Sequence, residues 1–494
     1  MDTILYFGSR VDELGLDRLD GARPAEDGSI LLGPRRIVAL AEPSRALAYI
    51  RQRPVEAAVL DARTPDALAR THALLESLFP SGRLGGPLLR QRILALVDPR
   101  EPEAAFALGQ HGIGGVLAYR DPSALIARVD ALLSQRGHGK IAICLAGGGI
   151  EGLLYELGVL RALQSFLPSR AVVDFDLFLG ISAGAIVASL LANGIGPEEI
   201  LRSLEGDGHR LDPIGRWDLF EPNVGELRER LWTLTSEALR GGAGPRGLVS
   251  SLTRAAPSAV FSGKRLGKWL ERQLTRPSMI DRFSDLRRPL YIGATDQDTA
   301  EAVLFGEGEL AHVPIHRAVH ASCALVPFYP PVEIDGRRYI DGAFSRTTNM
   351  RVAAQKGATL VILIDPLVPV RSREAGYVHA RGGIFGTTQS LKALINGRFA
   401  KAVDAISGLH PDVVFHLFRP EEDEMRILSG SPMKYFYRRE VETIAYETTV
   451  QKLQAALPQL ERDFGLHGVA FRDPQSSRSG SGGHPRIEPD RLGA

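Results

Sequence analysis

Ser182 sits in Gly180-Ile181-Ser182-Ala183-Gly184, a G-x-S-x-G turn that lifts a hydroxyl clear of a strand end on a bend only glycine neighbours can make. Upstream, Gly147, Gly148 and Gly149 follow an apolar run and precede a helical pattern that includes Gly152. Backbone N–H groups at such a strand-to-helix turn, with the positive end of the helix behind them, can hold an oxyanion. Far downstream, Asp341-Gly342-Ala343 closes a short strand with a carboxylate above a glycine turn. A hydroxyl, an anion-binding turn and a carboxylate together make the equipment of acyl transfer.

The same residues admit other readings. Gly147 to Gly152 also fits G-x-G-x-x-G, and Asp174 and Asp176 follow at the distance a dinucleotide-binding fold uses for its ribose contact. Residues 177–195 are an uncharged run of nearly membrane-spanning length, but three glycines, two serines and an asparagine dilute it. His312, His316 and His320 precede Asp341 and offer the material for a Ser/His/Asp triad. The sequence leaves these alternatives open.

Positioning the serine and glycine turns at one sheet edge requires parallel strands. Residues 141–146 read as a buried strand, 175–179 as a second and 185–191 as a helix stopped at Asn193-Gly194. Residues 197–288 read as a mainly helical insertion, with Leu266, Trp269, Leu270 and Leu274 forming a core stripe and 241–245 a loop. Two strands, 289–295 and 302–305, lead towards Asp341, and 360–364 is a further buried strand ending at Asp365-Pro366. Residues 386–465 read as mostly helical, 434–439 mix aromatic and basic side chains, and 473–494 has the composition of a disordered tail.

Before this region, short apolar runs at 4–7, 37–41, 57–60, 93–97 and 115–118 alternate with helical patterns at 45–51, 67–78, 103–108 and 122–133. The pattern resembles a response-regulator receiver domain, with Asp61 at the phospho-acceptor position. Gly8-Ser9 stands where that family keeps acidic metal ligands, Val97 replaces a hydroxyl residue and Arg120 a lysine. One carboxylate holds Mg²⁺ poorly, so the expectation is a degenerate receiver-like module that docks a signalling partner or dimerises.

The blocks from about 140 to 366 resemble the patatin-like phospholipase family: the glycine turn, G-x-S-x-G, an A-S-x-A-x-P-like segment at 321–327 and D-G-A at Asp341, in that order. The resemblance implies a Ser182/Asp341 dyad without histidine, oxyanion donors at Gly147, Gly148 and Gly149, and no cofactor or metal. Gly152, Gly180, Gly184, Gly342 and Ala343 complete its motifs. Glu151 stands where the family usually has lysine or arginine, which puts substrate choice in question and leaves room for lipid or partner binding without turnover. The fold implied is α/β: a five-stranded doubly wound receiver-like domain at 1–136, then a three-layer α/β/α patatin-like domain at 137–465.

The 494 residues carry 59 basic against 58 acidic side chains, a net charge of +1 that predicts no attraction to nucleic acid. No secretory signal is visible at the start, and Cys144 and Cys323 lie in apolar stretches, so buried thiols in a cytoplasmic protein are expected. The expected substrate is a phospholipid or another acyl-ester lipid, met through peripheral membrane contact.

Overall fold

The computed structural model describes residues 2–475, leaving aside 9–10, 54, 80–87, 89, 135–138, 225–227, 229–231, 233–258, 347, 411, 422–423 and 425–437. The expected loop at 241–245, residues 135–138 at the expected domain boundary, the aromatic-basic cluster up to 437 and the tail from 476 therefore fall outside the described residues.

The first sheet is built from β1 (Asp2–Phe7), β2 (Ala22–Pro24), β3 (Ile30–Leu32), β4 (Arg35–Leu40), β5 (Ala57–Asp61), β6 (Ile93–Val97) and β7 (Gly115–Ala118). Its parallel part runs β4-β1-β5-β6-β7, the 2-1-3-4-5 order of doubly wound receiver-like folds. Leu5 and Phe7 pack on one face while Ile4 and Tyr6 pack on the other, as a doubly covered strand requires. The covering helices α1 (Pro43–Gln52), α2 (Pro65–Leu78), α3 (Pro102–Gly109) and α4 (Pro122–Ser134) each open on proline, whose missing N–H costs nothing in a first turn. The five expected strands are joined by β2 and β3, a short antiparallel edge. Strands of three residues among Gly21, Pro24, Glu26, Asp27 and Gly28 carry too little periodicity to be read from sequence.

The second sheet starts with β8 (Lys140–Leu145), α5 (Gly149–Ser165), β9 (Leu177–Ile181), α6 (Ala183–Ala192) and α7 (Pro197–Glu205). It continues through α8 (Arg216–Leu219), α9 (Lys264–Leu274), β10 (Leu290–Asp296), β11 (Ala302–Phe305), α10 (Ile315–Ser322), β12 (Val332–Ile334) and β13 (Arg337–Asp341). The last elements are α11 (Met350–Gln355), β14 (Ala358–Ile364), α12 (Gly382–Leu409), β15 (Val414–Phe418), α13 (Arg438–Ala455) and α14 (Leu457–Gly465). Strand order is β12-β13-β10-β9-β8-β14-β15, with β11 paired to β10 outside this path.

Three layers follow from alternation along the central strands. Ile141, Ile143 and Leu145 face a core with α5 and α6, whereas Ala142 and Cys144 face a second core that includes Phe399 and Val403 of α12. Leu266, Trp269, Leu270 and Leu274 of α9 belong to the first core. The uncharged run 177–195 divides into β9 and α6, both wholly buried in protein, and among the described residues no helix is long and apolar enough to cross a membrane. Near the chain's end, Arg462 of α14 is 7% exposed and donates to the Val55 carbonyl at 3.3 Å, a contact between the C-terminal helix and the loop before β5.

Candidate active site

β8, β9 and β10 run parallel, with Leu145 opposite Gly180 and Ile181 opposite Gly293, while antiparallel β13 sets Asp341 opposite Ala294. The glycine turn, the serine turn and the end of β13 thereby meet at one edge of the sheet. Ser182 adopts φ 55°, ψ −126°, a conformation L-residues avoid, and α6 begins at the next residue. The strain is held by packing: a Cβ on Gly184 would lie 2.4 Å from the Ala146 carbonyl oxygen, and one on Gly180 would lie 2.5 Å from the Ala185 Cα. Gly184→Ala should therefore lower stability by about 3 kcal/mol. Gly397→Ala, in a helix with open space around it, should be neutral or stabilising. Denaturant titration of the two variants against the parent measures the contrast.

Ser322 braces the turn: its hydroxyl accepts the Ser182 N–H at 2.8 Å and donates to the Gly293 carbonyl at 2.6 Å. Asn349 reaches the Gly180 carbonyl from the other side at 3.4 Å. The A-S-x-A block signals Ser322, but nothing in the sequence announces Asn349 or the wedge made by Pro366. A Cβ on Gly148 would meet the Pro366 ring at 2.8 Å, and one on Gly152 would meet it at 3.0 Å.

Asp341 is 1% exposed. Its Oδ1 accepts the Ala343 N–H at 2.9 Å, and its backbone carbonyl accepts the Thr295 hydroxyl at 3.0 Å. Arg398 of α12 donates to the carbonyls of Ala343 and Phe344, fixing the D-G-A turn. Oδ2 is buried without a hydrogen-bond partner among the described residues. Burial pushes the carboxyl up to about 6, and the neighbouring Ser182 hydroxyl and the Ala343 N–H draw it part of the way back. The serine is thus close enough to act on the carboxyl without closing a conventional hydrogen bond, a looseness common before substrate arrives.

Gly147 is buried, and a Cβ there would stand 2.9 Å from the Ser182 Cβ, so its backbone lies beside the hydroxyl. No hydrogen bond takes the N–H groups of Gly147 or Gly148 among the described residues. Gly149 (φ 62°) opens α5 and is exposed on the outer side of the turn. The three glycines, Ser182, Asp341 and Ala343 line one cavity of about 190 Å³. Its lining is mainly apolar and includes Ile186, Leu219, Phe220, Phe261, Leu325, Phe328, Leu391 and Ile395. Glu151 and Lys392 also line it.

The remaining candidates go elsewhere. His312 pairs with Asp335 at 2.9 Å, His316 pairs with Asp281 at 2.6 Å, and His320 packs against α9, where burial pushes it down to about 4. None of them lines the cavity, so no triad forms around Ser182. The dinucleotide reading fails on polarity. Asp174 and Asp176 precede β9, and Asp176 accepts the Ile141 N–H at the start of β8, the opposite strand end from the glycine turn. Cys144 and Cys323 are free and buried.

In the first sheet, Asp61 accepts a 2.7 Å bond from the Tyr6 hydroxyl and bonds of 2.9 and 2.8 Å from Arg63. Burial alone would raise its pKa, but these bonds hold the carboxyl below the usual carboxylate range. An internal guanidinium therefore occupies the carboxylate that a receiver would offer to a metal and a phosphoryl group. No cluster of three or more metal-ligating side chains occurs among the described residues.

Comparison with known proteins finds partial similarities. A cUMP-AMP-activated phospholipase of Escherichia coli is 40% identical over 72 residues, which are 14% of this chain and 22% of that protein, so the match spans under a quarter of its length. Among solved structures, VipD from Legionella pneumophila aligns at 16% identity and TM-score 0.33, covering 65% of this chain and 67% of its own. Human GIVD cytosolic phospholipase A2, in complex with methyl gamma-linolenyl fluorophosphonate, aligns at 15% identity and TM-score 0.33, covering 66% and 60%. The model of the patatin-like phospholipase family matches residues 143–354, the segment that carries the glycine turn, Ser182 and Asp341.

Proposed function

We propose that the chain is a lipid acyl hydrolase working through a Ser182/Asp341 dyad. The observation that carries the reading is the buried, unpartnered Asp341 Oδ2 beside a strained serine at the floor of an apolar cavity. The Ser182 Oγ attacks the ester carbonyl while its proton passes to Asp341 Oδ2. The oxyanion of the tetrahedral intermediate takes hydrogen bonds from the Gly147 and Gly148 N–H groups, with the α5 and α6 N-termini adding positive potential. Collapse breaks the ester C–O bond, and Asp341 returns the proton to the departing alcohol. A water, deprotonated by Asp341, then attacks the acyl carbon, the Ser182 Oγ–acyl bond breaks, and Asp341 returns the proton to the serine as the fatty acid leaves.

The apolar wall suits an acyl chain, and the rim around it suits a lipid surface. Asn223 donates to the Val260 carbonyl at 3.1 Å, and Val260 donates to the Pro327 carbonyl at 3.0 Å, next to cavity residues Phe261 and Phe328. Val224, Val260 and Trp217 are 64%, 47% and 59% exposed, and Arg216, Lys264 and Lys268 are exposed nearby in sequence. Trp217→Ser should reduce binding to anionic phospholipid vesicles by about tenfold, read by co-sedimentation. Unchanged binding would remove this rim from the lipid contact.

On this reading residues 1–136 form a front module and 137–465 the hydrolase. With Asp61 locked by Arg63 and Tyr6, the front module acts as a docking or dimerisation surface. The experiment for the whole reading compares release of fatty acid from a phospholipid panel by the parent and by Ser182→Ala.

A further inference from the structure

Among the residues lining the cavity, Lys392 is the only cation, and Glu151 and Asp341 are the only carboxylates. Lys392 lies on α12 in the stripe Thr388, Leu391, Lys392, Ile395, which turns one helix face into the cavity. That stripe is where the helix should be apolar. An ammonium there loses hydration, and burial pushes its pKa down while Glu151 and Asp365 hold it up. Asp365 is already answered by Arg419 at 3.0 Å and by the Leu367 N–H at 3.1 Å. No hydrogen bond or ion pair within 4.0 Å engages the Lys392 ammonium among the described residues. A half-buried charge set into an apolar stripe without a close partner is costly for a structural element and useful for a ligand.

Glu151 is in the first turn of α5, immediately after the glycine turn, and its charge acts on Lys392 within the cavity that the glycine turn also lines. Ile186, Leu219, Phe220 and Phe261 also line the cavity. Its lining is thus mostly apolar, with one ammonium and the Glu151 carboxylate set into it.

Resting on the hydrolase reading above, we propose that Lys392 and Glu151 form a head-group subsite for a zwitterionic phosphoethanolamine lipid, Lys392 taking the phosphate and Glu151 the primary ammonium. A phosphate oxygen gives Lys392 the charge-assisted hydrogen bond it lacks. A primary ammonium donates N–H bonds to Glu151, which a quaternary ammonium cannot do. A net anionic head group satisfies Lys392 but faces Glu151 with no cation to offer, and a diacylglycerol offers neither charge. The subsite therefore orders substrates by head group while the serine chemistry stays common to all.

The test uses the full chain and mixed micelles of phosphatidylethanolamine, phosphatidylcholine, phosphatidylglycerol and diacylglycerol with matched acyl chains. The parent should favour phosphatidylethanolamine. In Lys392→Met the kcat/KM ratio of phosphatidylethanolamine to diacylglycerol should fall about tenfold, chiefly through KM, as loss of one charged hydrogen bond implies. Lys392→Arg should keep most of that ratio, and Glu151→Gln should erase the preference for phosphatidylethanolamine over phosphatidylglycerol. Equal losses on all four lipids in Lys392→Met, or an unchanged ratio, would overturn the subsite while fluorophosphonate labelling of Ser182 and ester turnover by the parent leave the hydrolase standing. A parent that neither labels nor cleaves any ester would overturn both.

Discussion

Ser182→Ala should abolish fatty-acid release and labelling by fluorophosphonates, with a loss on the order of 10³–10⁶ in kcat. The rest of the site stays in place, because what holds the turn is backbone: the Ser182 N–H on Ser322, and glycines whose neighbours leave no room for a Cβ. The variant should therefore fold and bind lipid as the parent does. Ser182→Gly separates chemistry from strain. At φ 55°, ψ −126° glycine is at ease where serine is not, so this variant should be as inactive as the alanine form yet more stable than the parent by about 1 kcal/mol. Thermal unfolding of the three proteins tests it, and a destabilised glycine form would mean the turn is not strained by its serine.

Asp341→Asn is expected to lower kcat by about 10³–10⁴, keeping shape and losing the proton acceptor. In the parent, activity should rise with pH through about 6, where the buried carboxyl ionises. Stability moves the other way. The carboxyl is raised from 3.8 to about 6 in the folded chain, so the folded state holds its proton more tightly than the unfolded state does. That advantage is full below pH 4 and is lost as pH rises through 6, a change of about 3 kcal/mol. Asp341→Asn has no such loss. Its stability relative to the parent should therefore improve by about that amount between pH 4 and pH 8, read from denaturant midpoints at the two ends. A parent rate that does not vary between pH 5 and pH 7 would mean Asp341 is not the group that takes the serine proton.

Much of this architecture is legible in the chain because long apolar runs and punctuating glycines report it directly. The five parallel strands of the first sheet, and β8, β9, β10 and β14 of the second, stand out in the sequence as apolar runs. Gly147, Ser182 and Asp341 are marked by motifs whose backbone needs are strict. What escapes is of two kinds. Short strands at or next to a sheet edge, β2, β3 and β12, have three residues each, too few for a period. Residues that matter only through tertiary contact carry no local sign: Pro366 against Gly148, Asn349 on Gly180, Arg398 on the D-G-A turn and Lys392 in the cavity wall. In the sequence α12 is only part of a mostly helical stretch, and nothing in it shows that its lysine lines a cavity.

The departure at Glu151 illustrates the second kind. From sequence it is an acid where the resemblance leads one to expect a base; in the folded chain it shares the cavity with Lys392, which comes from α12, more than two hundred positions later. The cation missing from the glycine turn is thus present in the site from another element.

The most direct measurement is the rate of Ser182 phosphonylation by a fluorophosphonate as a function of pH, followed by peptide mass spectrometry in the parent and in Asp341→Asn. The adduct should form on Ser182, with a rate that climbs through about pH 6 in the parent and is slow and flat in the variant. An adduct on another residue, or an Asp341→Asn protein labelled at Ser182 as fast as the parent, would contradict a serine activated by this carboxylate.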